Sequence, residues 1–226
     1  RCPACGTVLP DDRHFCGTCW LALDRLEGGC AQCGTPEIEP LGDDDLCGAC
    51  LADPPPFDSL RAAVAYGDIA RGIALRLKYG GRIGLAHIIA GAMRRHMAGL
   101  EDALIVPVPL HRLRLWRRGF NQAALIARAL TGGDTARLRL ELLERRKSTP
   151  YLKGMTAKQR RQAVRGAFHV PAEARGELKA RRIVLVDDVY TSGATSRACA
   201  GLLKRHGARE VHVRCWARVV RREEEF

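Results

Sequence analysis

An α/β fold is predicted for most of this chain: a mostly parallel sheet flanked by helices, preceded by a small cysteine-rich metal-binding unit. Three observations predict it. Beyond residue 60, short aliphatic runs alternate with helical periodicities. Eight of the ten cysteines fall in the first 50 residues, in four C-x-x-C pairs. One aliphatic run, "RIVLVDDVYTSGATS" (182–196), leads Ile183, Val184, Leu185 and Val186 straight into two adjacent carboxylates and a turn rich in glycine and hydroxyls.

A chain of 226 residues can bury a sizeable core. No apolar run reaches spanning length and no signal-peptide pattern opens the chain, so no transmembrane segment and a cytoplasmic location are expected. Charge is unevenly spread. Residues 1–50 hold three Lys/Arg against nine Asp/Glu, a balance of −6, whereas residues 51–226 hold 34 against 16, a balance of +18. Such an excess on one part of the chain points to anionic partners, phosphates or nucleic acid, against the simpler reading of solubility.

The pairs Cys2/Cys5, Cys16/Cys19, Cys30/Cys33 and Cys47/Cys50 each let two thiolates grip one tetrahedral metal. Ten residues separate the first two pairs and thirteen the last two, which suits two zinc ribbons, each with facing knuckles. Two structural Zn²⁺ ions are expected, in sequential or crossed pairing. A disulfide framework is disfavoured because nothing suggests secretion. Four thiolates leave each zinc site at −2, so the ribbons become more acidic still. Cys199 and Cys215 read as small buried core residues.

"DPPPFDS" (53–59) is read as a stiff proline-rich linker between a double ribbon (1–52) and the main domain (60–226). Strands are predicted at 61–66, 103–109, 182–189 and 210–217. Helices are predicted around 69–79, 84–98, 120–130, 156–165 and 195–206. In such folds ligands sit at the carboxyl ends of the strands. There, Asp187 and Asp188 followed by Thr191, Ser192, Gly193, Ala194 and Thr195 form a sugar-phosphate site. Successive backbone N–H groups, three hydroxyls and a helix N-terminus favour a phosphate monoester, while the acids face the hydroxyls of the adjoining ribose.

A second feature is "RLRLWRRGF" (112–120), which interleaves arginine with Trp116 and Phe120. Phosphate neutralisation beside an aromatic platform is how single strands are bound without sequence preference, and Arg114, Trp116, Arg117 and Arg118 are the expected contacts. The competing reading is a helix start with Trp116 in the core. More cations follow at Arg145, Arg146, Lys147, Lys153, Lys158, Arg160 and Arg161.

"VDDVYTSGAT" closely resembles the phosphoribosyl pyrophosphate (PRPP) signature of type I phosphoribosyltransferases. With the cysteine-rich N-terminus, "PPPFDSLRAAVAYGD", "LKYGGR", "IVPVPLHRLRLWRRGFNQAALIAR" and "RKSTPYLKGMTAKQRRQAVRGAF", the whole chain is similar to the ComF family of competence-associated proteins. The resemblance implies a type I phosphoribosyltransferase fold binding PRPP with Mg²⁺. Asp187 and Asp188 would hold the ribose hydroxyls and residues 191–195 the 5-phosphate. Pro109, Leu110, His111 and Arg112 would form the pyrophosphate loop.

The resemblance also implies a role in natural transformation, assisting single-stranded DNA across the inner membrane beside the competence ATP-driven translocase. That would place the protein in the cytoplasm, at the membrane periphery. Departures from the family pattern occur at Leu152 and Ala163, and Thr191 stands where purine-salvage enzymes carry an aspartate. Two readings follow: a PRPP- and DNA-binding module, or an active transferase moving ribose 5-phosphate to an unidentified nitrogen acceptor.

Overall fold

Four parallel strands carry the predicted architecture. The computed structural model describes residues 1–10, 14–36, 45–148 and 155–220. Two short helices, α1 (Gly17–Leu21) and α2 (Gly48–Ala52), start directly after Cys16 and Cys47, the first cysteine of the second knuckle in each ribbon. Then come β1 (Ser59–Ala65), α3 (Asp68–Tyr79), α4 (Leu85–Met93) with a 3-10 turn at Arg94–Met97, and β2 (Leu104–Pro107). After these run α5 (Arg112–Arg118), α6 (Gln122–Leu130), β3 (Glu144–Arg145), α7 (Ala157–Val164) and β4 (Phe168–His169). The chain continues through α8 (Arg175–Leu178), β5 (Arg182–Tyr190), α9 (Ala194–Arg205) and β6 (Glu210–Arg218).

The main sheet has the order β1-β6-β5-β2, and every pairing in it is parallel. β5 lies between β6 and β2, which explains why its aliphatic run is unbroken: both faces are covered. Alternation then sorts the side chains. Ile183 and Leu185 enter the core with α9, while Val184 and Val186 enter the core with α3, α4 and α6. In α3 the buried set Ala70, Ile73, Ala74 and Leu77 has the spacing of one helical face. Trp216, fully buried, donates its indole N–H to the Ala70 carbonyl at 3.0 Å.

The predicted helix around 120–130 is α6, and a separate helix, α5, precedes it. Gly119, at φ 79°, ends α5 in the left-handed conformation, and Asn121 caps α6 by accepting from the Ala123 amide. The antiparallel pair β3–β4 was not predicted, because two-residue strands leave no periodicity to read.

The segment 53–59 packs rather than spaces. Pro55 and Phe57 are buried, and the Gln32 amide donates to the carbonyls of both. Cys30, Cys33, Cys47 and Cys50 share one continuous core with Phe57, Leu60, Leu185 and Val213. Gly34, at φ 62°, leaves no room for a side chain against the Leu60 carbonyl, so the third knuckle lies directly on β1. The first ribbon docks through Leu23 and through Phe15, which stacks on Trp216 at 6.4 Å between ring centroids. Arg25 bridges antiparallel to Val64, so the ribbons also cover the outer edge of β1. Among the described residues no helix is long and apolar enough to cross a membrane.

Candidate functional site

The sequence folds locally into a strand, a tight loop and a helix at residues 182–205, and that loop is the first part of the site. Gly193 sits at φ 72° immediately before α9. A Cβ there would collide with the Tyr190 hydroxyl and lie 2.7 Å from its ring carbon, so both conformation and space require glycine. The loop closes a small hollow, about 30 Å³, lined by Asp187 and residues 189–196. The Ser192 hydroxyl is buried in this loop with no hydrogen-bond partner. A buried unpaired hydroxyl beside the free N–H groups of a helix start is a cradle that suits an anion. Arg160, from α7, donates to the Thr191 hydroxyl at 3.2 Å and brings a further positive charge to the rim.

The tandem acids differ in environment. Asp188 is buried and pairs with Lys78 of α3 at 2.5 Å. Gln122, at the start of α6, donates to its other oxygen at 3.4 Å. Asp187 accepts only the Asp188 amide, at 2.9 Å, among the described partners. Burial, and then the charge of Asp188 beside it, push the Asp187 carboxyl up to about 8. Burial alone would lower Lys78, but its pairing with Asp188 holds the ammonium above the usual lysine range.

Both acids line a cleft of about 830 Å³. Asp187 and Thr195 belong to the cleft and to the loop hollow alike, so the two are continuous. Pro109 and Leu110 of the predicted pyrophosphate loop line the cleft, and so do Arg114, Arg117 and Arg118. His111 and Arg112 do not: His111 caps α5 by accepting from the Leu113 amide, and Arg112 is exposed. Sequence reading treated the phosphate pocket and the arginine patch as separate; the structure brings them to one cleft.

The α5 helix buries none of its residues. Trp116 is 83% exposed, which excludes the core reading of that side chain, and it does not line the cleft. Arg118 lies over the Tyr79 ring at 5.1 Å and donates to the Gln122 amide oxygen, linking α5 to the partners of Asp188.

These features meet those of known proteins. Residues 1–51 match the double zinc ribbon domain family and residues 116–225 the phosphoribosyl transferase domain family. Competence protein F of Haemophilus influenzae is 33% identical over 223 residues, covering 94% of each chain. The chain belongs to the ComF family. The DNA utilization protein YhgH of Escherichia coli K12 is 31% identical over 213 residues, 91% of each chain. Competence protein ComFC of Streptococcus pneumoniae is 27% identical over 204 residues, 89% of this chain and 86% of that one.

The ComF-family ribbons fit zinc closely. Cys2, Cys5, Cys16 and Cys19 form one cluster and Cys30, Cys33, Cys47 and Cys50 another, each with its sulfurs within 4.8 Å of one another. The pairing is therefore sequential. The cross-pair distances Cys5–Cys16 and Cys33–Cys47 are both 3.6 Å, as expected for thiolates sharing a tetrahedral ion and far longer than a disulfide. Backbone amides support the sulfurs: Cys16 donates to Cys2 Sγ at 3.4 Å and Cys47 to Cys30 Sγ at 3.3 Å. Burial would raise Cys30, but the amides of Cys47, Cys33 and Gln32 outweigh it and bring the thiol down to about 6. Cys19 is pushed up to about 12 by the thiols around it, first Cys16. Four sulfurs this close together suit a shared cation.

Sequence reading missed Lys78 and Gln122, and gave Arg145 only as one of several cations beyond the arginine-rich patch. Arg145 is buried, lines the cleft and lies over the Phe168 ring at 5.3 Å. Only "LKYGGR" carried a signal for Lys78, and nothing local marked which acid it would meet. Cys199 and Cys215 are fully buried, as expected. Ala163 is half-buried in α7, whereas Leu152 and Lys153 lie outside the described residues.

Proposed function

We propose that this protein binds PRPP with Mg²⁺ and single-stranded DNA, and assists DNA uptake in natural transformation. The observation that carries this reading is the single cleft joining the tandem acids, the anion cradle and the arginines of α5. Residues 191–195 hold the 5-phosphate, with the Ser192 hydroxyl finding its partner there, and Asp187 and Asp188 accept from the ribose hydroxyls. The diphosphate lies toward Pro109 and Leu110, with His111 and Arg112 behind them. A Mg²⁺ held with the diphosphate would keep several waters and would supply charge neutralisation there. The strand is held by Arg114, Trp116, Arg117 and Arg118. Names such as competence protein and DNA utilization protein among the relatives support the biological setting. That setting is cytoplasmic, at the inner face of the membrane beside the ATP-driven translocase. The chain divides into ribbons (1–52), a proline-rich connection (53–59) and a phosphoribosyltransferase-like domain (60–226).

DNA binding should fall steeply with salt. Trp116→Ala should weaken it at every salt concentration without changing the slope, because stacking on an exposed ring releases no counterions. Arg117→Ala should flatten the slope by about 0.7, the share of one neutralised phosphate on a single strand. Fluorescence anisotropy with a labelled oligonucleotide reads both. A wild-type protein with no salt-dependent binding would sink the DNA half of the proposal. Pyrophosphate release from PRPP with any base, amine or DNA end would move the reading to the transferase alternative.

PRPP binding should also release a proton. Asp187, with its carboxyl near 8, is largely protonated at pH 7.5 in the free protein. Donation from ribose hydroxyls, with Mg²⁺ nearby, favours the ionised form, so the bound value is lower. Affinity should therefore rise with pH up to about 8 and then level off. At pH 7.5 the ligand's own monoester, with its second pKa near 6, is already ionised and contributes little. Calorimetry in buffers of different ionisation heat measures the release, and Asp187→Asn should abolish it. Flat affinity between pH 7 and 8 would remove Asp187 from the binding role.

A further inference from the structure

A second concave surface shares no residue with the cleft and meets the loop hollow only at Ala194. It is a groove of about 570 Å³ between α7 and α9. Its rims are cationic, with Lys158, Arg161 and Arg165 on one side and Arg197 and Arg205 on the other. Among the described residues no acidic one lines it. Lys158 and Arg161, three residues apart, share one face of α7, and Arg165 follows at its C-cap. Arg197 and Arg205, eight residues apart on α9, extend the opposite rim over about 12 Å. Among the described residues, Lys158, Arg161, Arg165 and Arg205 have no carboxylate partner. Arg197 is anchored at 2.8 Å to Asp53, which fixes that rim in place.

The floor is apolar. Val164 and Phe168 meet Ala198 and Leu202 across it, and Pro56 closes one side. Gly201 matters here: a Cβ would lie 3.6 Å from the Pro56 ring and 3.4 Å from the Arg205 guanidinium, filling space the groove now keeps.

We propose that this groove is a second binding site for single-stranded nucleic acid, with phosphates along the two cationic rims and a sugar or base edge on the apolar floor. The cations form rails instead of converging on a point, which suits a flexible polyanion better than a free phosphate. Four of the five are arginines, whose planar forks match phosphate oxygens. The long walls are helices, and the two-residue strand β4 reaches the groove only through Phe168, too short an edge to pair with an extended acidic peptide. Position supports the same occupant. Arg160 and Arg161 are neighbours on α7: the first donates to Thr191 at the cradle, and the second lines the groove. α7 thus presents one cation to the rim of the cradle and the next to the groove. The inference rests on the reading that this protein binds single-stranded DNA.

The test uses the full zinc-loaded chain, a labelled 20-nucleotide oligothymidine, a labelled oligoglutamate peptide and PRPP. Arg161 and Arg165 are exposed, so Arg161→Glu with Arg165→Glu should leave the fold and the PRPP affinity unchanged. The pair should weaken oligothymidine binding about tenfold or more and flatten its salt slope by about 1.4, two phosphates at about 0.7 each. If PRPP affinity also falls, Arg161→Gln with Arg165→Gln replaces the pair and must give the same flattening. Unchanged oligothymidine binding in the groove variant, with Arg114→Ala and Arg117→Ala weakened, overturns the groove and leaves the cleft reading standing. No oligothymidine binding by the wild type overturns both. Oligoglutamate binding that the groove variant loses while oligothymidine binding persists gives the groove to an acidic protein segment and overturns the assignment.

Discussion

Replacing Cys30 with serine should destabilise the whole chain, and replacing Cys2 should not. Each variant should lose one zinc per chain, since a structural site missing one thiolate loses most of its metal affinity. The consequences differ because the second ribbon is part of the main core. Cys30 is fully buried among Phe57, Leu60 and the strand residues Leu185 and Val213. Its neighbours also hold the sheet: the Gln32 carbonyl accepts the Leu60 amide at 2.7 Å, and the Cys33 carbonyl accepts the buried Arg218 guanidinium at 2.6 Å. Opening this ribbon strands Arg218, and a buried charge left without partners is heavily penalised. A loss of about 3–5 kcal/mol is expected, which in a chain of this size lowers the midpoint by about 10 °C or more.

The first ribbon has shallower attachments. Cys5 is exposed, and the side chains that dock the ribbon on the sheet are Leu23 and Phe15, with residues 24–26 hydrogen-bonded along the edge of β1. Cys2→Ser should shift the main melting transition by only a few degrees. Zinc analysis with thermal melts and amide exchange at β1 and β6 separates the cases. Equal, small shifts for the two variants would mean that the ribbons are energetically independent of the sheet after all.

Removing the tandem acids should abolish useful PRPP affinity. Asp187→Ala with Asp188→Ala should weaken binding by about 2–4 kcal/mol, roughly 30- to 1,000-fold, from two sets of hydrogen bonds to charged acceptors. The structure adds a complication with a clear signature. Asp188 is the ion-pair partner of Lys78, whose side chain is largely buried. Asp188→Ala therefore leaves an uncompensated ammonium, and about 1–3 kcal/mol of stability should go with it. Adding Lys78→Met should restore the melting temperature without restoring affinity. Gly193→Val attacks the same site through the backbone, since its side chain collides with Tyr190 and strains φ; it should lose PRPP binding with both acids intact. Equal affinity of wild type and the double alanine variant by calorimetry would refute the assignment.

Much of this was legible because the informative residues are neighbours in the chain. A C-x-x-C pair makes its own knuckle. A strand, loop and helix that follow one another at 182–205 make their own cradle, and the φ 72° of Gly193 is a local demand of that loop. Alternating strand and helix patterns likewise predicted the parallel sheet, because each amphipathic face announces a core whatever partner fills it.

Other features belong to tertiary structure. "DPPPFDS" reads as a spacer because prolines break regular structure, yet Pro55 and Phe57 are buried and the second ribbon shares the main core. Nothing in a proline run says what will pack on it. The pairing of Lys78 with Asp188, the sequential grouping of the cysteines, and the entry of α5 arginines into the acid-lined cleft all join residues distant in sequence. Such pairings leave no period or motif, since they are set by which faces the folded sheet brings within a few ångströms. Local runs of sequence set the knuckles, the strand–loop–helix turn and the arginine-rich stretch; the folded sheet set which of them meet in one cleft.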